Sequence, residues 1–283
     1  MADIKIKQSS SNGNYSEETT VEITGADYIH EDLIKSIIGR AEQAATPECG
    51  TAGCCQHITE PEATESGDGA GRCRLRRVRS GYIYPALLEQ YKAEGRLDEL
   101  ISPFDEIDIP LDTGGTVTAV CAYVEPKWAR FVLKDCWDEA AMNDEATNKT
   151  GYFKSKGRAH VLVHILPHIA QEWRAIFKSR QMVEEIDGER MEYADLMWLP
   201  SATDVFGPSE DGYWKDIDDS FQLPIFKRER DRVKECGDEG TYPYWLRSVY
   251  AAYATSFRIV YTSGSGSYPG AYYSLGFAPG FDI

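Results

Sequence analysis

Apolar positions change period several times along the chain, and each change predicts an element. After a polar, Ser/Asn-rich stretch over residues 1–17, expected to be a tail, Val21 and Ile23 alternate with polar neighbours. That alternation predicts a short strand over Thr19 to Thr24. Leu33, Ile34, Ile37, Ile38 and Ala41 recur at helical spacing over Glu31 to Ala45. A second helix is expected over Tyr82 to Leu100, with Leu87, Leu88 and Tyr91 on one face. Strands follow at Ile107 to Leu111, Thr116 to Tyr123 and Ala129 to Lys134, the first two joined by a turn at Asp112-Thr113-Gly114-Gly115. Lys134 to Trp137 leads into a short helix, and a loop over Asn143 to Ser155 precedes a helical stretch from Lys156 to Phe177. A hairpin is expected over Gln181 to Ala194 about Asp187-Gly188, then a buried strand over Leu196 to Leu199. Ser201 can cap a short helix running to Phe206, and Phe221 to Val233 is expected to be helical.

The last segment, Thr241 to Ile283, sets strands at both ends. It opens on Tyr244-Trp245-Leu246-Arg247-Ser248 and closes on Gly276-Phe277-Ala278-Pro279-Gly280-Phe281-Asp282-Ile283. Between these ends the composition departs from the rest. Residues 248–280 hold six Tyr, six Ser and five Gly among 33, with Arg258 the single charge, in a chain that is 27% charged. Tyrosine offers large contact area at small entropy cost, and Ser and Gly adapt around it, as in antibody binding loops. Trp245, Leu246, Phe257, either Ile259 or Val260, Phe277 and Phe281 are expected to pack inward, and Arg247 to be a buried or half-buried structural arginine bonded to carbonyls or a carboxylate. After Arg247 there is no Lys, Glu, Gln, Met or Trp. Codons for those five types end only in a purine, so the gap is a property of the DNA rather than of the fold.

Charge and cysteine use narrow the classes. A net charge of −16 opposes a nucleic-acid backbone or an anionic membrane as partner. No stretch approaches the roughly 20 apolar residues of a membrane span. The opening Met1-Ala2-Asp3-Ile4-Lys5 lacks an apolar signal region, so the expected location is the cytoplasm or an assembled particle such as a virion tail. Seven cysteines in such a chain are expected to be mostly reduced.

Two clusters invite metal chemistry. Cys49, Cys54, Cys55, His57 and Cys73 fall within one aperiodic stretch over residues 46–80. Cys49, Cys54, Cys73 and His57 could in principle hold a tetrahedral zinc. The spacing is not the paired C-x2-C form, and adjacent Cys54-Cys55 fit one ion badly, so an unliganded loop is the expectation. The arginines that follow, at 72, 74, 76, 77 and 79, are expected to pair with the chain's own carboxylates. His160, His164 and His168, with Glu172, stand at helical spacing. Pro167 interrupts that helix and no H-E-x-x-H is present, so these are read as partly exposed helix positions. No cofactor and no catalytic residue is expected.

The WLRS strand, the Phe257-Arg258-Ile259-Val260 strand and the terminal GFAPGF resemble the C-type lectin-like (formylglycine-generating-enzyme-like) fold. The subset they most resemble is the variable proteins of diversity-generating retroelements, in which adenines of asparagine codons are randomised and the scattered residues form a ligand-binding face. Ala194-Asp195-Leu196-Met197-Trp198-Leu199-Pro200-Ser201 with Val205-Phe206-Gly207 strengthens the likeness, which covers about residues 100–283. The resemblance implies an α+β domain of mixed short antiparallel strands and flanking helices over residues 81–283. A Cys-rich N-terminal extension (1–80) would precede it, and the variable region would lie at about 248–276. It further implies a binding face made of Tyr250, Tyr253, Ser256, Tyr261, Thr262, Ser263, Ser265, Ser267, Tyr268, Tyr272, Tyr273 and Ser274. The partner would be a host or cell-surface protein or glycan, met by a phage or bacterial protein. Oxidative relatives of the fold use cysteines near the C-terminus, and this chain has none after Cys236. The alternatives are a formylglycine-generating-like or iron-dependent enzyme, using the histidine row or the early cysteines, and an invariant tail attachment protein.

Overall fold

The computed structural model describes residues 4–9, 18–23, 81–186, 188–209, 211–214 and 216–283. The backbone divides into two units, Met1–Arg72 and Cys73–Ile283. In the first, β1 (Ile4–Ser9) pairs antiparallel with β2 (Glu18–Ile23), Ile4 opposite Ile23 and Ile6 opposite Val21. The tail expected over residues 1–17 therefore contains a strand. The helix expected at 31–45 and the cysteine-rich stretch from Cys49 to Cys73 lie outside the described residues.

The second unit is α+β. It opens on α1 (Pro85–Glu94) and α2 (Leu97–Leu100). One helix was expected here; Gly95 divides it by taking the left-handed conformation at φ 68, and its N–H returns to the Lys92 carbonyl. A four-stranded antiparallel sheet follows, built from β3 (Glu106–Pro110), β4 (Thr116–Glu125), β5 (Trp128–Leu133) and β13 (Gly280–Asp282), in the order β13-β5-β4-β3. A five-stranded sheet, β11-β10-β9-β12-β6, carries the C-terminal segment. Its members are β6 (Asp138–Ala141), β9 (Tyr244–Val249), β10 (Phe257–Val260), β11 (Gly266–Ser267) and β12 (Ser274–Phe277). The β12–β9 pair is parallel and the others antiparallel. A separate hairpin pairs β7 (Arg180–Ile186) with β8 (Glu189–Asp195), its turn using Gly188 at φ 81.

Three expectations are corrected. The short helix after Trp137 is the strand β6, because Asp138–Ala141 finds backbone partners in β12, with Ala141 opposite Ser274. Leu196–Leu199, with Leu196 half-buried and the next three residues buried, makes no strand; it meets the sheet through one bridge, Trp198 N–H to the Gly280 carbonyl (2.9 Å) and Gly280 N–H to the Trp198 carbonyl (2.7 Å). Phe221–Val233 is no helix but two tight turns, Pro224–Phe226 and Glu229–Asp231, separated by an extended Arg228 (φ −104, ψ 140). The Lys156–Phe177 stretch is interrupted where Pro167 requires it. Here α3 (Lys156–His160) widens into a π turn over Val161–Ile165, tightens at Leu166–His168, and yields to a separate α4 (Gln171–Arg174).

The core lies between the two sheets and the helical stretch. Phe281 of β13 stacks on Phe131 of β5 (5.3 Å between centroids) and on Phe177 (4.2 Å). Trp173, Trp198 and Trp245 are fully buried beside them. Ser201 caps α5 (Ala202–Phe206) through a reciprocal box with Asp204.

Candidate binding face

Strands β9 and β10 supply the floor. Trp245, Leu246, Phe257, Ile259 and Val260 are all buried, and so are Phe277 and Phe281. An apolar run of this kind is stable only when both faces are covered. Arg247 is buried with them. Its Nη2 donates to Asp218 (2.8 and 2.9 Å) and to Asp219 (2.6 Å). Asp219 also accepts from Arg180, which in turn holds Asp204 (3.1 and 3.3 Å). Arg130 reaches Asp204 (3.5 Å) and is bidentate on Asp282 (2.9 and 3.0 Å). Burial alone would push the Asp219 carboxyl up; the Arg180 and Arg247 guanidiniums outweigh it and hold the group well below the usual carboxylate range.

Above this floor the chain between β9 and β10 turns at residues 250–256. Asn148, buried, donates its side-chain amide to the carbonyls of Ser256 (2.7 Å), Tyr253 (2.9 Å) and Tyr250 (3.4 Å). Its own N–H donates to the Ala254 carbonyl at 2.8 Å. A cavity of about 320 Å³ opens beside this turn, lined by Asn148, Glu184, Asp216, Arg247, Tyr250 and Ala254 among others. Burial pushes the carboxyls of Glu184 and Asp216 up, although Tyr193 donates to the first and Ser248 to the second.

The tyrosines divide by exposure. Tyr253 is 56% exposed, Tyr261 52%, Tyr272 49%, Tyr273 48% and Tyr268 45%, whereas Tyr250 is 6% exposed. Tyr250 and Ser256, both expected on the face, are therefore corrected to buried positions. The Tyr250 ring is covered by Tyr268, stacked at 4.0 Å and 11°, and flanked by Tyr253 (5.5 Å) and Tyr213 (5.7 Å). Ser256 bridges Gly270 instead. Tyr272 and Tyr273 stack on each other at 4.4 Å, and the Tyr272 ring lies where a side chain at Gly270 would stand. Tyr253, Tyr268, Tyr272 and Tyr273 thus gather around the 250–256 turn and its Gly270 bridge. Tyr261, Thr262, Ser263 and Ser265 form a separate turn at the other end of β10, closed by the Tyr261 N–H on the Ser265 carbonyl (2.7 Å). Ser267 ends β11 half-buried, and Ser274 begins β12 exposed.

Residues outside the segment complete the face. Tyr213 is 45% exposed, and its carbonyl accepts from Ala251 N–H at 2.9 Å. Trp214 and Phe206 stand with Tyr250 and Tyr268 around the Arg258 guanidinium. The one signal in the sequence was an aromatic doublet, Tyr213-Trp214, inside an otherwise Asp/Gly/Ser-rich stretch.

The histidine row does not converge. His160 bonds Asp138 (2.9 Å) and meets the edge of Phe277, His164 lies 5.4 Å from the His160 ring, and His168 packs on Trp137. Among the described residues no group of three His, Cys, Asp or Glu side chains could share a metal ion. Cys49, Cys54, His57 and Cys73 lie outside those residues. Cys121, Cys136 and Cys236 are free thiols, and burial pushes all three up, away from the reactive thiolate. No described helix is long and apolar enough to cross a membrane.

Residues 129–283 match the model of a family described as a domain of unknown function, DUF6273. The match covers more than half of the chain and takes in the whole tyrosine-bearing segment. No curated protein and no solved structure matches the chain.

Proposed function

The chain belongs to the DUF6273 family, and on that footing we propose that it is a ligand-binding protein displaying a diversified C-terminal surface. In this reading the α+β unit is a C-type lectin-like scaffold, and the protein is the variable protein of a diversity-generating retroelement of a phage or bacterium. Its partner is a protein or glycan on a host or cell surface, met from a virion tail or from the cytoplasm before assembly. The observation that carries the reading is the contrast within residues 244–283. Trp245, Phe257, Phe277 and Phe281 are fully buried, while five tyrosines between them keep about half their surface exposed. Exposed aromatic rings clustered in this way supply contact area for a partner, with serines as adaptable polar neighbours. Exchange of such residues leaves the packing beneath them intact, which is what a diversified surface requires. The clamp from Asn148 supports the reading further, because it holds the turn by backbone carbonyls, which every residue type presents.

The test is to sequence the DNA flanking the gene. A near-copy of the segment encoding residues 248–276, carrying adenines where this copy differs, together with a neighbouring reverse transcriptase, is the expected result. Flanking DNA with neither would overturn the retroelement reading.

A further inference from the structure

Arg258 is the single charge among residues 248–280, and it is 7% exposed. Other buried or half-buried arginines are matched by carboxylates, Arg247 by Asp218, Arg180 by Asp204, Arg130 by Asp282, Arg158 by Asp195 and Arg174 by Asp112, and Arg232 donates to the carbonyls of Phe226 and Gly264. Arg258 has no such partner. No hydrogen bond and no ion pair joins it to any described residue, and its Nε is sealed from solvent without an acceptor. Rings surround it instead, with Trp214 at 5.0 Å, Tyr250 at 5.4 Å, Tyr268 at 5.8 Å and Phe206 at 5.9 Å.

Ring faces attract a guanidinium but leave its five N–H donors unanswered. A desolvated cation without a counter-charge is costly and is kept where something completes it. Asp216 is the carboxyl that feels this charge, and it is engaged elsewhere. It accepts from Ser248 Oγ at 2.6 Å and from Thr203 N–H at 2.9 Å. Among the described residues no free carboxylate supplies the missing acceptor.

We propose that Arg258 is the anion anchor of the binding face, and that its occupant is the carboxylate of an acidic side chain on a protein partner. With Nε sealed, a planar carboxylate would meet the two Nη groups of the guanidinium end-on with two parallel hydrogen bonds. The half-exposed tyrosines gathered about the stack favour a protein acid over an acidic sugar, because such rings supply the broad contact area on which protein partners are recognised. This deepens the binding reading and rests on it.

The experiment follows the Arg258 Nε–H resonance of the full-length protein by NMR at low salt, assigned by its loss in Arg258→Gln. The probes are acetyl-Gly-Glu-Gly-amide, its Gln counterpart and methyl glucuronide. The expected result is a saturable shift with the Glu peptide and a response weaker by about tenfold with the Gln peptide. Arg258→Lys, which keeps the charge but not the fork, should weaken the Glu peptide by a similar factor, read in both proteins from the indole N–H resonance of Trp214, whose ring lies 5.0 Å from the guanidinium, with an unchanged near-UV circular dichroism spectrum. Equal responses to the Glu and Gln peptides, or none to either, would overturn the anchor. A stronger response to methyl glucuronide would overturn the assignment to a protein acid. Neither failure would touch the diversified-surface reading, which the flanking DNA decides separately.

Discussion

The Asn148 side-chain amide donates to the Ser256 carbonyl at 2.7 Å across 108 residues of chain. The turn that carries Tyr253 is thereby held by a residue of the loop before α3 as well as by its own backbone hydrogen bonds, such as Tyr250 N–H to the Ser256 carbonyl (3.0 Å). Replacing Asn148 by Ala should leave the carbonyls of Tyr250, Tyr253 and Ser256 without this donor. We expect a loss of about 2–3 kcal/mol, read from urea unfolding at constant slope. An unchanged midpoint would mean that water serves these carbonyls equally well.

The tyrosines should separate into two classes. Serine at Tyr253, Tyr261, Tyr272 or Tyr273 should leave the thermal midpoint where it is, since these rings are about half exposed. Serine at Tyr250 should lower it, because that ring closes the stack over Arg258. Differential scanning calorimetry of the single variants checks both halves, and equal midpoints throughout would contradict the division.

Lys234 gives the fold a signature in alkali. Burial pushes its ammonium down to about 8, while its Nζ donates to the carbonyls of Leu133 and Lys134. The unfolded lysine titrates near 10.4, so between those values the unfolded chain holds the extra proton and stability rises with pH. The stability difference between wild type and Lys234→Met should move in favour of the wild type from pH 8 to 10, by roughly 2–3 kcal/mol. Urea unfolding across that range reads it, and a flat difference would show that Lys234 is solvated.

Asp219 sets the acid limit. Shared by Arg180 and Arg247, its carboxyl lies below the ordinary range. The stability it contributes is present in full above the unfolded value, near 3.9, and is lost as pH falls through the depressed folded value. Asp219→Asn should cost about 3–5 kcal/mol at pH 7, two guanidiniums having lost a partner. The gap to wild type should narrow below about pH 4. A gap constant down to pH 2 would argue against the ion pairs.

Gly280 tests how closely β13 is held. A Cβ there would stand 2.6 Å from the Phe131 carbonyl oxygen and 2.7 Å from the Trp198 ring. The strand is bonded on both sides and has no room to shift. Gly280→Ala should destabilise by about 1–3 kcal/mol in the same unfolding assay.

The parts of the fold legible in the sequence were those whose stability is local or strictly patterned. The alternation of Ile107 and Ile109, the Asp112–Gly115 turn and the Ser201 cap each state their geometry in a few residues. The apolar runs at Tyr244–Val249 and Phe257–Val260 also announced strands. What was missed depends on distant partners. Asp138–Ala141 has no strand character of its own and becomes β6 because β12 lies beside it. Phe221–Val233 has helical spacing, yet Gln222 spends its amide on the carbonyls of Val205 and Phe226, and the chain turns at Pro224. Within the site, period and composition marked the tyrosines but not their depth. Tyr250 lies inward because Tyr268 and Tyr213 meet over it, and Tyr213 arrives from a loop nearly 40 positions earlier.

The final strand, β13, sits beside β5 and lends Phe281 to the centre of the core. A ribosome slip, or a nucleotide gain not divisible by three, between Ser248 and Tyr273 would replace β12 and β13 with unrelated residues. Phe131 would then lose its stack, and β5 would be left with an open edge, a state that cells degrade. Folding itself therefore audits the reading frame of the tyrosine segment, passing exchanges of one residue for another and rejecting changes of length that shift the code.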